Sequence, residues 1–227
     1  MDLTALSSMA VRPALAGLAP LLRQAGLRVR FEAGGGVDVA RRIRDGAVAD
    51  LAVLAADALA ALHAEGLVTP PVPLWDSDTV AAVPAAAPPT ALATVDDLRA
   101  LLRSATAVAH STGPSGTALR ALVDRLGLTA HVRLVQAPPG TPAGALVTDG
   151  RATVAVQQRS ELAALPGVRV LGPLPGDAAI TSTFAAAVLT TAPRPVAART
   201  LLDLLVSTEA SAAALAGGMR PVGADRP

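Results

Sequence analysis

The sequence lacks lysine, cysteine and tyrosine altogether among its 227 residues. Without lysine there is neither a Schiff-base enzyme nor a lysine-containing phosphate-binding loop. Without cysteine there is no thiol nucleophile, disulfide or thiolate zinc site. We therefore expect the protein to work without a cofactor.

Charge and histidine are also sparse. The 19 basic residues, all arginine, are opposed by 18 acidic residues, for a formal net charge of +1. The arginines are scattered, whereas binding to a phosphate backbone requires a basic patch, so we expect no nucleic-acid partner. His63, His110 and His131 stand far apart without metal-binding spacing, and no metal site is predicted.

Long apolar runs are missing as well, since proline, glycine or charge breaks each run before the roughly twenty residues that a membrane-spanning helix needs. Near the N-terminus, Arg12 and Pro13 interrupt "LTALSSMAVRPALAGLAPLL", and no basic segment precedes it. This pattern is typical of neither a secretory signal nor a membrane span. We expect a cytoplasmic protein without membrane insertion; a periplasmic or extracellular location is the alternative if a leader segment was removed.

Short apolar runs alternate along the chain with longer alanine-, leucine- and arginine-rich segments. This alternation predicts an α/β fold with parallel strands and crossover helices. Gly26, Gly66, Gly127 and Gly150 end helical segments, and "TVDD" from Thr94 begins one with a capping box. The predicted strands are LTAL (3–6), LRVRFE (27–32), DLAVLA (50–55), TAVAH (106–110), HVRLVQ (131–136), ATVAVQ (152–157) and VRVLG (168–172).

Two further apolar runs, at 77–89 and 179–195, do not follow the strand-and-helix alternation. We interpret both as strands that cross between two lobes. The predicted first lobe comprises residues 1–78 and 186–227, and the second comprises residues 79–185. A ligand cleft is expected between them.

Glycine and hydroxyl residues gather where several predicted strands end. In open α/β sheets, ligands bind outside the carboxyl ends of strands, where helix N-termini favour anions. Serine and threonine add hydrogen-bond donors, and an arginine can hold a carboxylate through two hydrogen bonds. The predicted anion-binding residues are Ser7, Ser8, Met9, Arg12, Gly35, Gly36, Ser111, Ser115, Gly116 and Thr141.

The sequence resembles the type II periplasmic binding protein superfamily, specifically its molybdate-binding-like solute-binding proteins. The resemblance implies two Rossmann-like α/β lobes joined by two hinge strands, a small anionic ligand closed between them, and an ABC transporter as a possible partner. The matching segments, in the family's order, are "LTALSSMAVRPALAGLAP", "GGGVDVARRIRDGAVADLAVLAADAL", "STGPSGTALRALVDRLGL", "QAPPGTPAGALV", "VAVQQRSEL", "GVRVLGPLP" and "GMRPVG".

The resemblance also bears on the ligand. Ser7 and Ser8 match the first oxyanion-holding loop of molybdate-binding members, but Gly35 and Gly36 stand where the second loop commonly carries serine. Gln157 stands near the place of a tyrosine ligand and is added to the predicted site. These departures leave room for an organic carboxylate as well as an oxyanion.

The same branch includes aconitate isomerase, which moves a double bond by shifting a proton on a tricarboxylate. A cofactor-free isomerase is therefore the second functional hypothesis, and it needs an acid/base group. His110, beside the "STGPSG" loop, is the first catalytic candidate, and Glu32 is the reserve. Glu161 is interpreted as a solvated helix residue. A third hypothesis, a regulatory sensor, lacks an accompanying helix-turn-helix segment.

Overall fold

The computed structural model describes residues 2–224, which form alternating strands and helices. The strands are β1 Asp2–Ser8, β2 Arg28–Gly34, β3 Leu51–Ala55, β4 Val72–Pro84, β5 Val108–His110, β6 Leu134–Gln136, β7 Val154–Gln158, β8 Val168–Pro173, β9 Thr181–Val188 and β10 Arg220–Pro221. The helices are α1 Arg12–Gly17, α2 Ala19–Gln24, α3 Gly36–Arg44, α4 Ala56–Ala64, α5 Val95–Ser104, α6 Pro114–Arg125, α7 Ala143–Thr148, α8 Arg159–Leu162, α9 Pro195–Leu205 and α10 Thr208–Ala216. Short 3-10 turns occupy Met9–Val11 and Gly176–Ala178.

The chain divides into two compact units. Unit 1 comprises Met1–Ser77 and Thr183–Pro227, and unit 2 comprises Asp78–Ser182. The boundaries predicted from the sequence, at 78/79 and 185/186, fall inside β4 and β9. The lobe assignment and the ligand cleft stay predictions, and residues 1 and 225–227 of the predicted first lobe lie outside the described residues.

Unit 1 contains a sheet in the order β2, β1, β3, β9. Strands β2 and β3 both pair with β1 in parallel, whereas β9 pairs with β3 in the antiparallel direction. Every residue of β3 is buried, because its alternate side chains enter two apolar clusters on opposite faces of the sheet. A strand covered on both faces reads as a continuous hydrophobic run, and this explains "LAVLA".

Unit 2 contains a sheet in the order β4, β7, β5, β6. Strand β5 is parallel to β6 and β7, so the carboxyl ends of these three strands lie at one edge. Strand β4 runs antiparallel to β7 on one side and to β8 on the other. The expectation of parallel strands is therefore wrong for β8, whereas β4 and β9 come from the two crossing runs, for which no direction was predicted. Alternating strand and helix patterns give each element's type, but not the direction of a strand that crosses between units.

The predicted elements and their local signals are confirmed by the structure. All seven predicted strands occur, and both irregular runs contain strands. Thr94 Oγ1 accepts a hydrogen bond from Asp97 N at 3.1 Å, and Asp97 Oδ2 accepts one from Thr94 N at 2.9 Å, which completes the capping box. Strand β10 was not predicted, and β4 begins at Val72, five residues before the irregular run at 77–89. Within residues 2–224, no helix is long and apolar enough to span a membrane.

Candidate functional site

A pocket of about 460 Å³ opens in unit 1 at the carboxyl ends of β1 and β2. The two strands are parallel, and Ser7 is in register with Ala33, so the chain leaves both strands at the same edge. Ser8 Oγ then accepts a hydrogen bond from Ala10 N at 3.2 Å and caps the 3-10 turn that leads into α1. The pocket is lined by Ser7, Met9, Arg12, Leu15, Ala16, Phe31 and Ala33.

Ser7 provides the unusual polar group of this pocket. Its side chain is fully buried, and among residues 2–224 its Oγ has no hydrogen-bond partner. A buried hydroxyl without a partner destabilises a protein by about 1–3 kcal/mol, so such groups are rare unless a ligand or water completes them. Ser7 thus has an unused hydrogen-bond donor beside the pocket, which a ligand reaches only if the atoms that cover the hydroxyl move, because Ser7 is 0% exposed.

Arg12 provides the positive charge. It is the first residue of α1, it is exposed, and it forms no ion pair within the described part of the chain. A guanidinium has five N–H donors in a planar fork that matches a carboxylate. With Leu15 and Phe31 as apolar walls, the pocket can bind an anionic group attached to a carbon skeleton.

The other predicted residues of unit 1 have different surroundings. The Ser8 hydroxyl is used in capping, whereas Met9 lines the pocket. Gly35 is the N-cap of α3 and Gly36 is its first residue, and both are outside the pocket lining. Their contribution to ligand binding stays a prediction.

Glu32, the reserve catalytic candidate, is held by two arginines. Its Oε2 lies 2.8 Å from Arg42 Nη2, and its Oε1 lies 3.0 Å from Arg30 Nη2. The hydrogen bond from Arg42 holds the pKa of Glu32 below its ordinary value. A carboxylate stabilised in this way is a weak proton acceptor, which argues against a role for Glu32 as a base.

In unit 2, the loop after β5 packs tightly against the start of α6. A Cβ atom at Gly116 would overlap the carbonyl group of Ser111, so this position accepts only glycine without displacement of the backbone. His110 Nδ1 lies 2.9 Å from the Ser111 carbonyl oxygen and must donate to it, which leaves Nε2 without a proton in the neutral ring. Burial lowers the pKa of His110, whose residue surface is only 2% exposed.

The serines of this loop form a buried hydrogen-bond chain. Ser115 Oγ donates to Gln158 Oε1 at 2.6 Å, and Gln158 Nε2 donates to Ser182 Oγ at 3.2 Å. Ser111 Oγ lies 3.1 Å from Ser115 Oγ and accepts from Gly113 N at 3.2 Å. Because the only hydroxyl proton of Ser115 is used by Gln158, Ser111 is the donor to Ser115.

These hydrogen bonds give the two serines a role in holding the loop. Their predicted role as ligand donors stays a prediction, because both protons are engaged within unit 2. Sequence reasoning missed Gln158. The available signal was the pair of adjacent glutamines that ends the apolar strand β7.

Gln157, Thr141 and Glu161 lie around the start of α7. Gln157 is 1% exposed, and its Oε1 accepts a hydrogen bond from Ala143 N at 2.6 Å. Thr141 is partly exposed and lies two residues before Ala143. Gln157 also donates a side-chain hydrogen bond to Glu161, and burial raises the pKa of Glu161 to about 7. Glu161 is a helix residue as expected, with a partly exposed residue surface, but its carboxyl group is less solvated than the sequence indicated.

Metal binding has no support in the part of the chain that the structure describes. Within residues 2–224, no group of three or more histidine, aspartate or glutamate side chains is arranged to hold a metal ion. The acidic groups described above face arginine or amide partners instead.

Known proteins with related sequences and folds provide an independent comparison. An aconitate isomerase from Pseudomonas sp. is 32% identical, over 97% of this chain and 88% of its own length. The periplasmic molybdate-binding protein of Azotobacter vinelandii superposes with a TM-score of 0.80 at 18% identity, over 96% of this chain and 98% of that one. The sulfate-binding protein of Mycobacterium tuberculosis H37Rv superposes with a TM-score of 0.78 at 20% identity, over 98% of this chain and 88% of that one.

These structural similarities confirm the predicted α/β class and the periplasmic binding protein fold. The family model described as "Bacterial extracellular solute-binding protein" matches residues 3–220, nearly the whole chain. The chain therefore belongs to the family of bacterial extracellular solute-binding proteins.

Proposed function

We propose that this solute-binding protein binds a small organic carboxylate, with one carboxylate group in the unit 1 pocket. The observation that carries the proposal is the buried, unpartnered hydroxyl of Ser7 in the same pocket as the exposed guanidinium of Arg12. Arg12 supplies charge and two parallel hydrogen bonds, and Ser7 supplies a third donor.

Pocket size and lining favour an organic anion over a tetrahedral oxyanion. A volume of about 460 Å³ lies in the range of small-molecule sites. Leu15 and Phe31 offer apolar contact to carbon atoms, which an oxyanion lacks. The sequence similarity to an aconitate isomerase also supports a polycarboxylate.

Isothermal titration calorimetry tests this proposal with trans-aconitate, cis-aconitate, citrate, molybdate and sulfate. We expect at least one of the organic acids to bind more tightly than either oxyanion. Arg12→Gln should weaken that binding at least tenfold, because a charged hydrogen-bond partner is lost. Arg23→Gln is the matched control, since it removes an exposed arginine from α2 of the same unit, outside the pocket. Equal affinities in the two variants, or preferential binding of molybdate or sulfate, would contradict the proposal.

A second candidate function is isomerisation of a bound polycarboxylate. The specific observation is the 32% identity to an aconitate isomerase, together with His110, whose pKa is lowered by burial and whose Nδ1 contacts the Ser111 carbonyl oxygen. A base would take a proton from the carbon beside one carboxylate, the electron pair would shift the double bond, and the proton would return at the far carbon. His110 would reach a substrate only if the residues that cover it move, because it is 2% exposed.

Proton NMR in deuterated water tests the isomerase candidate. Incubation with trans-aconitate should give cis-aconitate and deuterium in the ligand, and His110→Ala should abolish both. Binding without either change would leave the protein as a binding module. Turnover unaffected by His110→Ala would support the isomerase function and exclude His110 as its base. An ABC transporter partner and the cellular location stay predictions.

A further inference from the structure

Helix α1 presents opposite faces to the pocket and to the C-terminal helix α10. Arg12, Leu15 and Ala16 line the pocket, and their spacing of three and four residues places them on one face of α1. Ala14 and Gly17 fall on the other face, which packs against α10 and the residue that follows it. The packing of α1 on this C-terminal segment therefore determines where Arg12 lies relative to the pocket.

Gly217, the residue that follows α10, leaves no room for a side chain at this contact. A Cβ atom built on Gly217 would lie 2.7 Å from Ala14 N, 2.9 Å from Ala14 Cα and 3.1 Å from the Pro13 carbonyl carbon. Ordinary contacts of a Cβ atom begin at 3.4 Å, so alanine would require the two backbones to separate by about 0.7 Å. Gly217 has a φ of −81°, a negative value that residues with a side chain also adopt. The close approach to α1, and not the local backbone conformation, therefore requires glycine.

The C-terminal segment is the better anchored of the two partners in this contact. The Ser207 hydroxyl caps the start of α10, and Met219, which is 2% exposed, belongs to the apolar cluster of unit 1. Strand β10 follows directly and pairs with β4. By contrast, α1 is only six residues long, and its N-cap Val11 makes no side-chain hydrogen bond. A side chain at Gly217 would therefore displace α1 toward the pocket.

We propose that Gly217 is a positioning residue for Arg12: its missing side chain lets α1 pack directly on the end of α10 and so sets the position of the guanidinium in the pocket. The contact is made at Pro13 and Ala14, one and two residues after Arg12. Gly217 does not itself line the pocket and acts through α1. This inference rests on the proposed carboxylate-binding function.

A double-mutant cycle tests the inference by isothermal titration calorimetry, with the tightest-binding of trans-aconitate, cis-aconitate and citrate as the probe. Gly217→Ala should weaken binding about tenfold, because hydrogen bonds to a charged group weaken steeply when their geometry is displaced. In the Arg12→Gln background, the same substitution should change Kd by less than about twofold, because the group that Gly217 positions is gone. Thermal unfolding gives the Tm of each variant, and the fitted stoichiometry gives its binding-competent fraction.

A control variant separates the position of α1 from the stability of unit 1. Leu62 is fully buried in the apolar cluster on the other face of the sheet, which contains no residue of α1 or α10. Leu62→Ala should therefore lower Tm and leave Kd unchanged.

A second variant tests the same packing if Gly217→Ala does not fold. A Cβ atom at Gly17 would lie 3.3 Å from Ala213 Cβ on α10, and the branched methyl groups of valine need more space than that. Gly17→Val should weaken binding, because it also presses α1 toward the pocket. Adding Ala213→Gly should restore part of the affinity even though glycine inside a helix lowers Tm, so affinity and stability should change in opposite directions.

The outcomes distinguish this inference from the proposed function. If Gly217→Ala, or Gly17→Val in its place, left Kd unchanged, the inference would be overturned. Equal weakening by Gly217→Ala in both backgrounds would overturn it as well, as would weakened binding in Leu62→Ala, because Kd would then follow stability. Each of these results leaves carboxylate binding itself intact. A wild-type protein that bound none of the three acids would overturn the proposed function and this inference with it.

Discussion

Ser7→Ala should stabilise the protein while weakening its binding of a carboxylate. The substitution removes a single oxygen atom from a fully buried position and leaves the Cβ atom and the pairing of β1 with β2 and β3 in place. The removed hydroxyl has no partner among the described residues. Its removal therefore relieves a desolvation penalty in the free protein and deletes a donor in the complex.

The expected magnitudes follow from these two roles. An unpartnered buried polar group destabilises by about 1–3 kcal/mol, so the free energy of unfolding should rise by about 1 kcal/mol or more. For a chain of 227 residues, each 1 kcal/mol corresponds to about 2–4 °C in Tm. A hydrogen bond to a charged ligand contributes about 1.5–3 kcal/mol, so Kd should rise about 10- to 100-fold.

Thermal unfolding by circular dichroism, without ligand, and calorimetry with trans-aconitate measure the two effects. Ser77→Ala is the matched control, because Ser77 is 1% exposed, has an unpartnered hydroxyl and lies outside the pocket lining. It should raise Tm similarly and leave Kd unchanged. If Ser7→Ala lowered Tm and left Kd unchanged, Ser7 would be an ordinary structural residue and the reasoning would be refuted.

Three further predictions concern stability. Gly116→Ala should lower the free energy of unfolding by about 1–3 kcal/mol, because the added Cβ atom overlaps the Ser111 carbonyl group. Gly36→Ala is the control, because a Cβ atom there has no neighbour within 4 Å, and chemical denaturation should show almost no change in its stability. Thr94→Ala removes the capping box of α5 and should lower the free energy of unfolding by about 0.5–2 kcal/mol, measured in the same way. Burial raises the pKa of Glu161 from 4.5 to about 7, so the stability that its protonated form contributes is present below pH 4.5 and lost as pH rises through 7. Glu161→Gln should remove this pH-dependent loss of stability, which is at most about 3 kcal/mol and is reduced by solvent screening. If the free energy of unfolding of the variant showed the same pH profile as the wild type, the prediction would be contradicted.

The strands and helix ends were predictable because their causes are local. Strand β3 is buried on both faces and consequently has five apolar residues in succession. Thr94 and Asp97 satisfy each other's backbone N–H groups within a single turn. By contrast, the antiparallel direction of β4 depends on pairing with β7 and β8, far away in the sequence, and no local pattern encodes it.

The side-chain chemistry was less predictable because it depends on distant partners. Ser7 and Ser8 are adjacent and chemically identical, yet one caps a turn and the other is buried without a partner. Ser115 was recognised as a loop hydroxyl, but its acceptor, Gln158, lies 43 residues further along the chain. Glu161 follows two polar residues in a short helix, and only tertiary packing buries it enough to change its pKa.

The most direct test of carboxylate binding is a crystal structure of the protein grown with trans-aconitate. The account predicts one ligand carboxylate within hydrogen-bond distance of both Ser7 Oγ and the Arg12 guanidinium, with carbon atoms against Phe31. A ligand ordered elsewhere on the protein, with the Ser7 hydroxyl still unpartnered, would contradict it.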